Sequence, residues 1–150
     1  MGAEFYLDRA YRTGDIDTAR APSRMPGMGT FSVEATVANL ANPTMRVTLG
    51  LLVDTGATWT TLPGDVAADI GAAQLGMRRV RLADGRVEEW PAAAIHITLD
   101  GHEGPTFCLI GPRGGPSLLG AVTLEELGLA VDPAARRLVP ATGYLMSLAV

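Results

Sequence analysis

The chain has 150 residues, 47% of them hydrophobic and 19% charged, with a formal net charge of −4. That length suits one domain with a real core, and the composition excludes wholesale disorder. All twelve basic residues are arginine, and the one cluster, Arg78, Arg79 and Arg81, recruits too few bases and aromatics for a nucleic-acid surface.

Residues 1–29 mix charges with Gly, Pro, Thr and Ala and carry no strand or helix period beyond Phe5-Tyr6-Leu7. They read as a poorly ordered arm ending in Pro22-Ser23-Arg24-Met25-Pro26-Gly27, with a folded domain over 30–150. Phe31, Val33, Ala35 and Val37 then alternate with polar or small residues, the period of a half-buried strand. A turn at Asn42-Pro43 leads to a second strand over Arg46–Val53, alternating at first and then wholly apolar. Trp59-Thr60-Thr61-Leu62 makes a short strand ended by Pro63, and Gly64–Ile70 can form a brief helix closed by Gly71.

Met77–Ala83 and Arg86–Trp90 flank Asp84-Gly85, a strong two-residue hairpin signal. Ala93, Ile95, Ile97 and Leu99 form the next apolar face, Asp100-Gly101 turns the chain, and Thr106–Ile110 returns. The glycine-rich loop Gly111–Pro116 lacks the lysine and hydroxyl of a phosphate-binding loop. Ser117-Leu118-Leu119-Gly120 opens the one convincing helix, Ala121–Leu127, which Gly128 stops. Leu129–Asp132 and Arg137–Pro140 make a last hairpin, and Tyr144-Leu145-Met146 offers a further short strand or a dimer contact. Many short strands with frequent turns predict an all-β sandwich or small closed barrel with one short C-terminal helix.

No stretch reaches the roughly 20 apolar residues that cross a bilayer as a helix, and no secretory signal opens the chain, so the expected compartment is the cytoplasm with no membrane partner. Cys108, the only cysteine, lies in an apolar run and reads as a buried inert thiol. With His96 and His102 it shows no ligand spacing, so neither a metal nor a cofactor is expected. Glu125 and Glu126 read as the solvated side of the helix.

Asp54 stands out. It ends the apolar strand Leu51-Leu52-Val53, and a carboxylate there is unfavourable unless it is hydrogen-bonded or chemically used. A lone Asp-Thr-Gly is more often a structural turn than a catalytic loop. Here Thr55 and Thr58 flank it, and Leu118-Leu119-Gly120 follows 66 residues beyond the Leu52 position, ahead of a helix.

With those marks the chain resembles the retroviral-type (retropepsin-like) aspartic proteases of the small bacterial branch, over roughly residues 30–140. The resemblance implies a two-fold homodimer acting on a peptide or protein substrate, because two carboxylates must share the reaction and this chain carries one Asp-Thr-Gly. It implies catalysis by Asp54, with Thr55 interlocking across the dimer axis and Gly56 admitting the substrate backbone. Ala57, Thr58 and Trp59 are then expected to line the substrate site, under a flap over Arg78–Trp90 whose tip is Ala83, Asp84 and Gly85. Retroviral members pair an acid two residues after the motif glycine with an arginine after the helix-opening glycine. Thr58 and Ala121 stand in those places, so both partners are absent together. Two other readings share these features: a catalytically silent dimerisation or peptide-binding module of the same fold, and an unrelated β-domain with a turn at Asp54.

Overall fold

The computed structural model describes residues 30–145, so the arm expected over 1–29 and the terminal residues 146–150 lie outside the described residues. The chain enters β1 (Ser32–Asn39), which pairs antiparallel with β2 (Arg46–Val53), Val37 facing Val47. Alternation puts Ala35 and Val37 inward, as the sequence period requires. Asn39 organises the turn between these strands. Its Oδ1 accepts the amides of Ala41 and Asn42, and its Nδ2 donates to the carbonyls of Ile70 and Gly71.

β3 (Thr60–Pro63) runs into α1 (Gly64–Asp69), and the chain continues through β4 (Gln74–Arg81), β5 (Val87–Leu99) and β6 (His102–Gly111). β7 (Leu118–Leu119), α2 (Ala121–Glu126), β8 (Leu129–Asp132) and β9 (Arg137–Pro140) complete it. The large sheet has the order β1-β2-β7-β3-β6-β5-β4, and β5 pairs with β1 as well, so the ladder returns on itself with β4 outside the ring. β8 and β9 form a separate two-stranded sheet.

The ring wraps one apolar core in which Val37, Leu51, Leu62, Ile95, Ile97 and Leu119 have no solvent exposure, and α2 adds Leu124. Close packing makes each of these side chains hard to shorten. Leu62→Ala is expected to lower unfolding stability by about 2–5 kcal/mol, read as a shift in the urea midpoint at constant slope.

Several local expectations change. Among the described residues both expected helices form, and each ends one residue early, α1 at Asp69 and α2 at Glu126. β5 is continuous for 13 residues and does not break at Pro91. Proline lacks a ladder donor, and it is tolerated here beside the register shift between Gln74 and Met77, where β4 gives up the β5 edge that β1 then takes. β6 begins at His102, four residues ahead of Thr106, because Asp100 and Gly101 both adopt positive φ (52° and 78°) and form a two-residue turn that lets Leu99 pair directly with His102.

The other Asp-Gly behaves differently. At Asp84-Gly85 only glycine has positive φ (92°), Gly85 donates to the Leu82 carbonyl, and Leu82 donates to that of Arg86. This is a three-residue loop with a left-handed glycine, not the two-residue turn expected. Tyr144 and Leu145 form no strand and are each 82% exposed.

Candidate active site

β2 carries its apolar run out of the core and ends one residue before Asp54, which is 8% exposed. The loop that follows is tied to the acid. Gly56 donates its amide to Asp54 Oδ1 at 3.0 Å, and Ala57 donates to the Asp54 carbonyl at 3.1 Å. Thr55, Gly56 and Thr58 face solvent, while Ala57 and Trp59 are half-buried.

The second half of the framework comes from far along the chain. β7 lies between β2, to which it runs parallel (Leu52 opposite Leu118), and β3, to which it is antiparallel (Thr61 opposite Leu118). The Leu119 carbonyl accepts the Asp54 amide at 3.0 Å. Ala121 and Val122 then donate to the carbonyls of Ala57 and Thr58 at 2.8 and 2.9 Å. The first amides of any helix lack intrahelical acceptors, and α2 has no side-chain cap. The Asp54 loop supplies those acceptors, so helix start and loop satisfy each other.

Gly120 is the residue that permits this contact. A Cβ there would sit 2.7 Å from both the Thr60 nitrogen and the Trp59 oxygen. Its own φ of −95° suits any residue, so the need is for space alone. The sequence pairing of Asp54 with Leu118-Leu119-Gly120 is thus a physical pairing.

Trp59 joins the loop to the β4–β5 hairpin. With Trp90, Ala92 and Leu109 at its centre, a second apolar cluster gathers Trp59, Val80, Leu82 and Phe107, apart from the main core. Alternation along the hairpin turns Val80 and Leu82 to this cluster and leaves Arg79 and Arg81 exposed. The Arg78 guanidinium lies 4.6 Å over the Phe107 ring. On the same face Arg86 bridges Asp84 Oδ2 at 2.7 Å and Glu88 Oε2 at 3.0 Å, and Trp90 Nε1 donates to Glu88 Oε1. The Arg86 amide, and then its guanidinium, hold the Asp84 carboxyl below the usual carboxylate range.

Of the expected site residues, Asp54 to Trp59 form one continuous loop, and Ala83, Asp84 and Gly85 sit at the tip of the hairpin rooted in the Trp59 cluster. Adding a side chain at Gly85 meets no atom within 4 Å, so Gly85→Ala tests backbone conformation only. It is expected to destabilise the chain by about 1–2 kcal/mol in urea unfolding, the strain of a left-handed alanine.

Sequence reasoning missed one feature. Buried Thr60, Thr106 and Thr123 hydroxyls contact one another, and Glu126, expected to be merely solvated, accepts a 2.6 Å bond from Thr106. These residues lie on β3, β6 and α2, and no local spacing announces their meeting. Cys108 is fully buried, and burial pushes its thiol up to about 12, as an inert thiol should behave. Among the described residues, no group of His, Cys, Asp and Glu side chains could hold a metal ion, and no helix is long and apolar enough to cross a membrane.

With this geometry in view, the comparisons are direct. Residues 33–123, more than half of the chain, match the family model described as aspartyl protease. The chain belongs to the aspartyl protease family. The matched span runs from β1 through the start of α2 and so takes in both halves of the Asp54 framework. Among solved structures, the EIAV protease complexed with the inhibitor HBY-793 superposes with a TM-score of 0.54 at 19% identity, covering 69% of this chain and 93% of that one. The aspartyl protease fold of this chain is therefore of the retroviral kind, mostly strand with short helices. No curated protein matches the chain.

Proposed function

We propose that the chain is an aspartic endopeptidase whose active site forms when two copies place their Asp54 carboxylates together across a two-fold axis. The carrying observation is the Asp54 loop itself: a nearly buried carboxyl held by the Gly56 amide and clamped from behind by residues 119–122, with Thr55 and Gly56 turned outward. A chain with one Asp-Thr-Gly supplies one of the two carboxylates that this chemistry uses.

In the paired state like charges a few ångströms apart do not both ionise readily, so the two carboxylates share one proton. The ionised one takes a proton from a water, whose oxygen attacks the scissile carbonyl carbon. The protonated one gives its proton to the carbonyl oxygen. The tetrahedral diol collapses as the newly protonated carboxyl gives its proton to the leaving nitrogen, the other carboxylate takes back a proton from a diol hydroxyl, and the C–N bond breaks, which leaves the acid, the amine and one proton again shared by the pair. Thr55 braces the two loops against each other, and Gly56 leaves room for the substrate backbone.

Ala57, Thr58 and Trp59 line the cleft, and the hairpin tip at Ala83, Asp84 and Gly85 closes over an extended peptide and excludes water. The shared cluster of Trp59 with Val80 and Leu82 supports this hinge of hairpin on cleft. The family membership and the retroviral-type fold support the reading as a whole.

A dilution series tests the two-chain requirement. Cleavage of an unstructured peptide should rise with the square of enzyme concentration below the dimer dissociation constant and linearly above it. Linear dependence throughout, from a species that sediments as a monomer, would sink the proposal.

A further inference from the structure

Thr60, Thr106 and Thr123 are 0%, 3% and 0% exposed, and their Oγ1 atoms form a line with separations of 2.6 Å (Thr60 to Thr123) and 2.7 Å (Thr123 to Thr106). One end of the line receives the Gly120 amide on Thr60 Oγ1 at 3.1 Å. The other end passes from Thr106 Oγ1 to Glu126 Oε1 at 2.6 Å, while the alternative acceptor for Thr106, the Phe107 carbonyl, is 3.5 Å away.

The two ends set the direction. A hydroxyl has a single proton, and a carboxylate can only accept. Thr106 gives its proton to Glu126 and so accepts from Thr123. Thr123 therefore accepts from Thr60, and Thr60, its proton used, accepts the Gly120 amide. Every proton is placed once and no buried oxygen is left without a donor. A short hydrogen bond to a charged acceptor is stronger than a neutral one and polarises those behind it.

The line ends where the Asp54 framework begins. Leu119, Ala121 and Val122, the neighbours of Gly120, make the three backbone bonds that hold Asp54, Ala57 and Thr58. Thr123 is the next residue of α2 and the hub of the hydroxyl line. We propose that Glu126, Thr106, Thr123 and Thr60 form a positioning relay that fixes the start of α2 against β3 and β6 and thereby sets the place of the Asp54 carboxyl. The inference rests on the protease reading above. Two carboxylates that must meet across an axis tolerate little displacement, since misplacement by about 1 Å can lower a rate roughly 100-fold.

The test compares Thr123→Val, which keeps shape and removes the hydroxyl, with Thr123→Ser, which restores it. Glu126→Ala is added because Glu126 is exposed and its loss does not threaten folding. Peptide cleavage and amide hydrogen exchange are measured on the full chain beside wild type and Asp54→Asn. Thr123→Val is expected to lower kcat about 10–100-fold per folded dimer with KM within about twofold, and Thr123→Ser to recover most of the loss. Glu126→Ala should lower kcat several-fold in the same direction. Exchange of the Asp54, Gly120, Ala121 and Val122 amides should speed up in both Thr123→Val and Glu126→Ala.

Unchanged kcat in Thr123→Val and Glu126→Ala, with Asp54→Asn inactive, overturns the relay and leaves the protease reading standing. Should Thr123→Val fail to fold, Glu126→Ala decides alone. Inactive wild type overturns the protease reading, and the exchange rates then decide whether the relay holds the loop: unchanged rates overturn it.

Discussion

Asp54→Asn is expected to lose peptide hydrolysis while keeping its fold and oligomeric state. Asparagine retains Oδ1, so the 3.0 Å bond from the Gly56 amide survives, and the Asp54 main-chain bonds to Leu119 and Ala57 are untouched. What disappears is the ability to take a proton from water or to lend one to the carbonyl. Both protomers carry the change, so neither half of the pair can substitute for the other. Losing a general acid–base group lowers rates about 10²–10⁴-fold, so kcat should fall by at least that range with circular dichroism and sedimentation unchanged. Mixing adds a sharper measurement. With Asp54→Asn in excess and exchange of subunits complete, activity should follow the square of the wild-type fraction, because heterodimers hold a single carboxylate. A folded, dimeric variant that cleaves at the wild-type rate would exclude Asp54 from catalysis.

The second large effect is at Gly120. Gly120→Ala requires no change of dihedral angles, since φ −95° and ψ 171° are open to alanine. Its methyl group would nonetheless stand 2.7 Å from backbone atoms of Trp59 and Thr60, closer than real Cβ contacts come, and backbone cannot swing aside as a flexible side chain can. β3 and the start of α2 must separate. That stretches the Gly120 amide from Thr60 Oγ1 and strains the bonds from Ala121 and Val122 to the Asp54 loop. The expected loss is about 3 kcal/mol or more of unfolding stability, at the upper end for overpacking, with activity lost together with it. Thermal unfolding gives the measure: a Gly120→Ala chain within a few degrees of wild type would mean that the two segments do not touch as described. Gly114 makes the natural control, because a side chain there meets nothing within 4 Å and only its positive φ of 72° is strained.

Local patterns in the sequence proved a good guide wherever one segment decides its own structure. Strand alternation in Ser32–Asn39 and Arg46–Val53 placed the core-facing residues, since the period of a half-buried strand is written in adjacent residues. The apolar approach to Asp54 likewise marked a loop that the fold clamps from residues 119–122. Where two similar signals competed, sequence could not rank them. Asp84-Gly85 and Asp100-Gly101 are the same dipeptide, yet only the second forms the tight turn. The difference lies in the strands beyond: Val87–Leu99 and His102–Gly111 pair right up to Asp100, whereas the β4–β5 hairpin leaves Ala83 in its loop. The strand expected over Arg86–Trp90 likewise runs on through Pro91 to Leu99, the proline being tolerated by a register shift in β4 between Gln74 and Met77.

The sequence by itself showed a β-rich chain with a single Asp-Thr-Gly at the end of an apolar strand, and its motif order pointed to the aspartyl proteases. Those properties follow from residues close together in the chain. Tertiary structure alone decided how the loop is held: β7 inserted between β2 and β3, the amides of α2 given to the carbonyls of Ala57 and Thr58, and three threonines from separate elements joined in a line that ends at Glu126. Each of those contacts joins residues from separate elements, 17 to 63 positions apart where hydroxyl meets hydroxyl. A hydroxyl in the sequence has no stated partner, and only the packed chain brings the partner within reach.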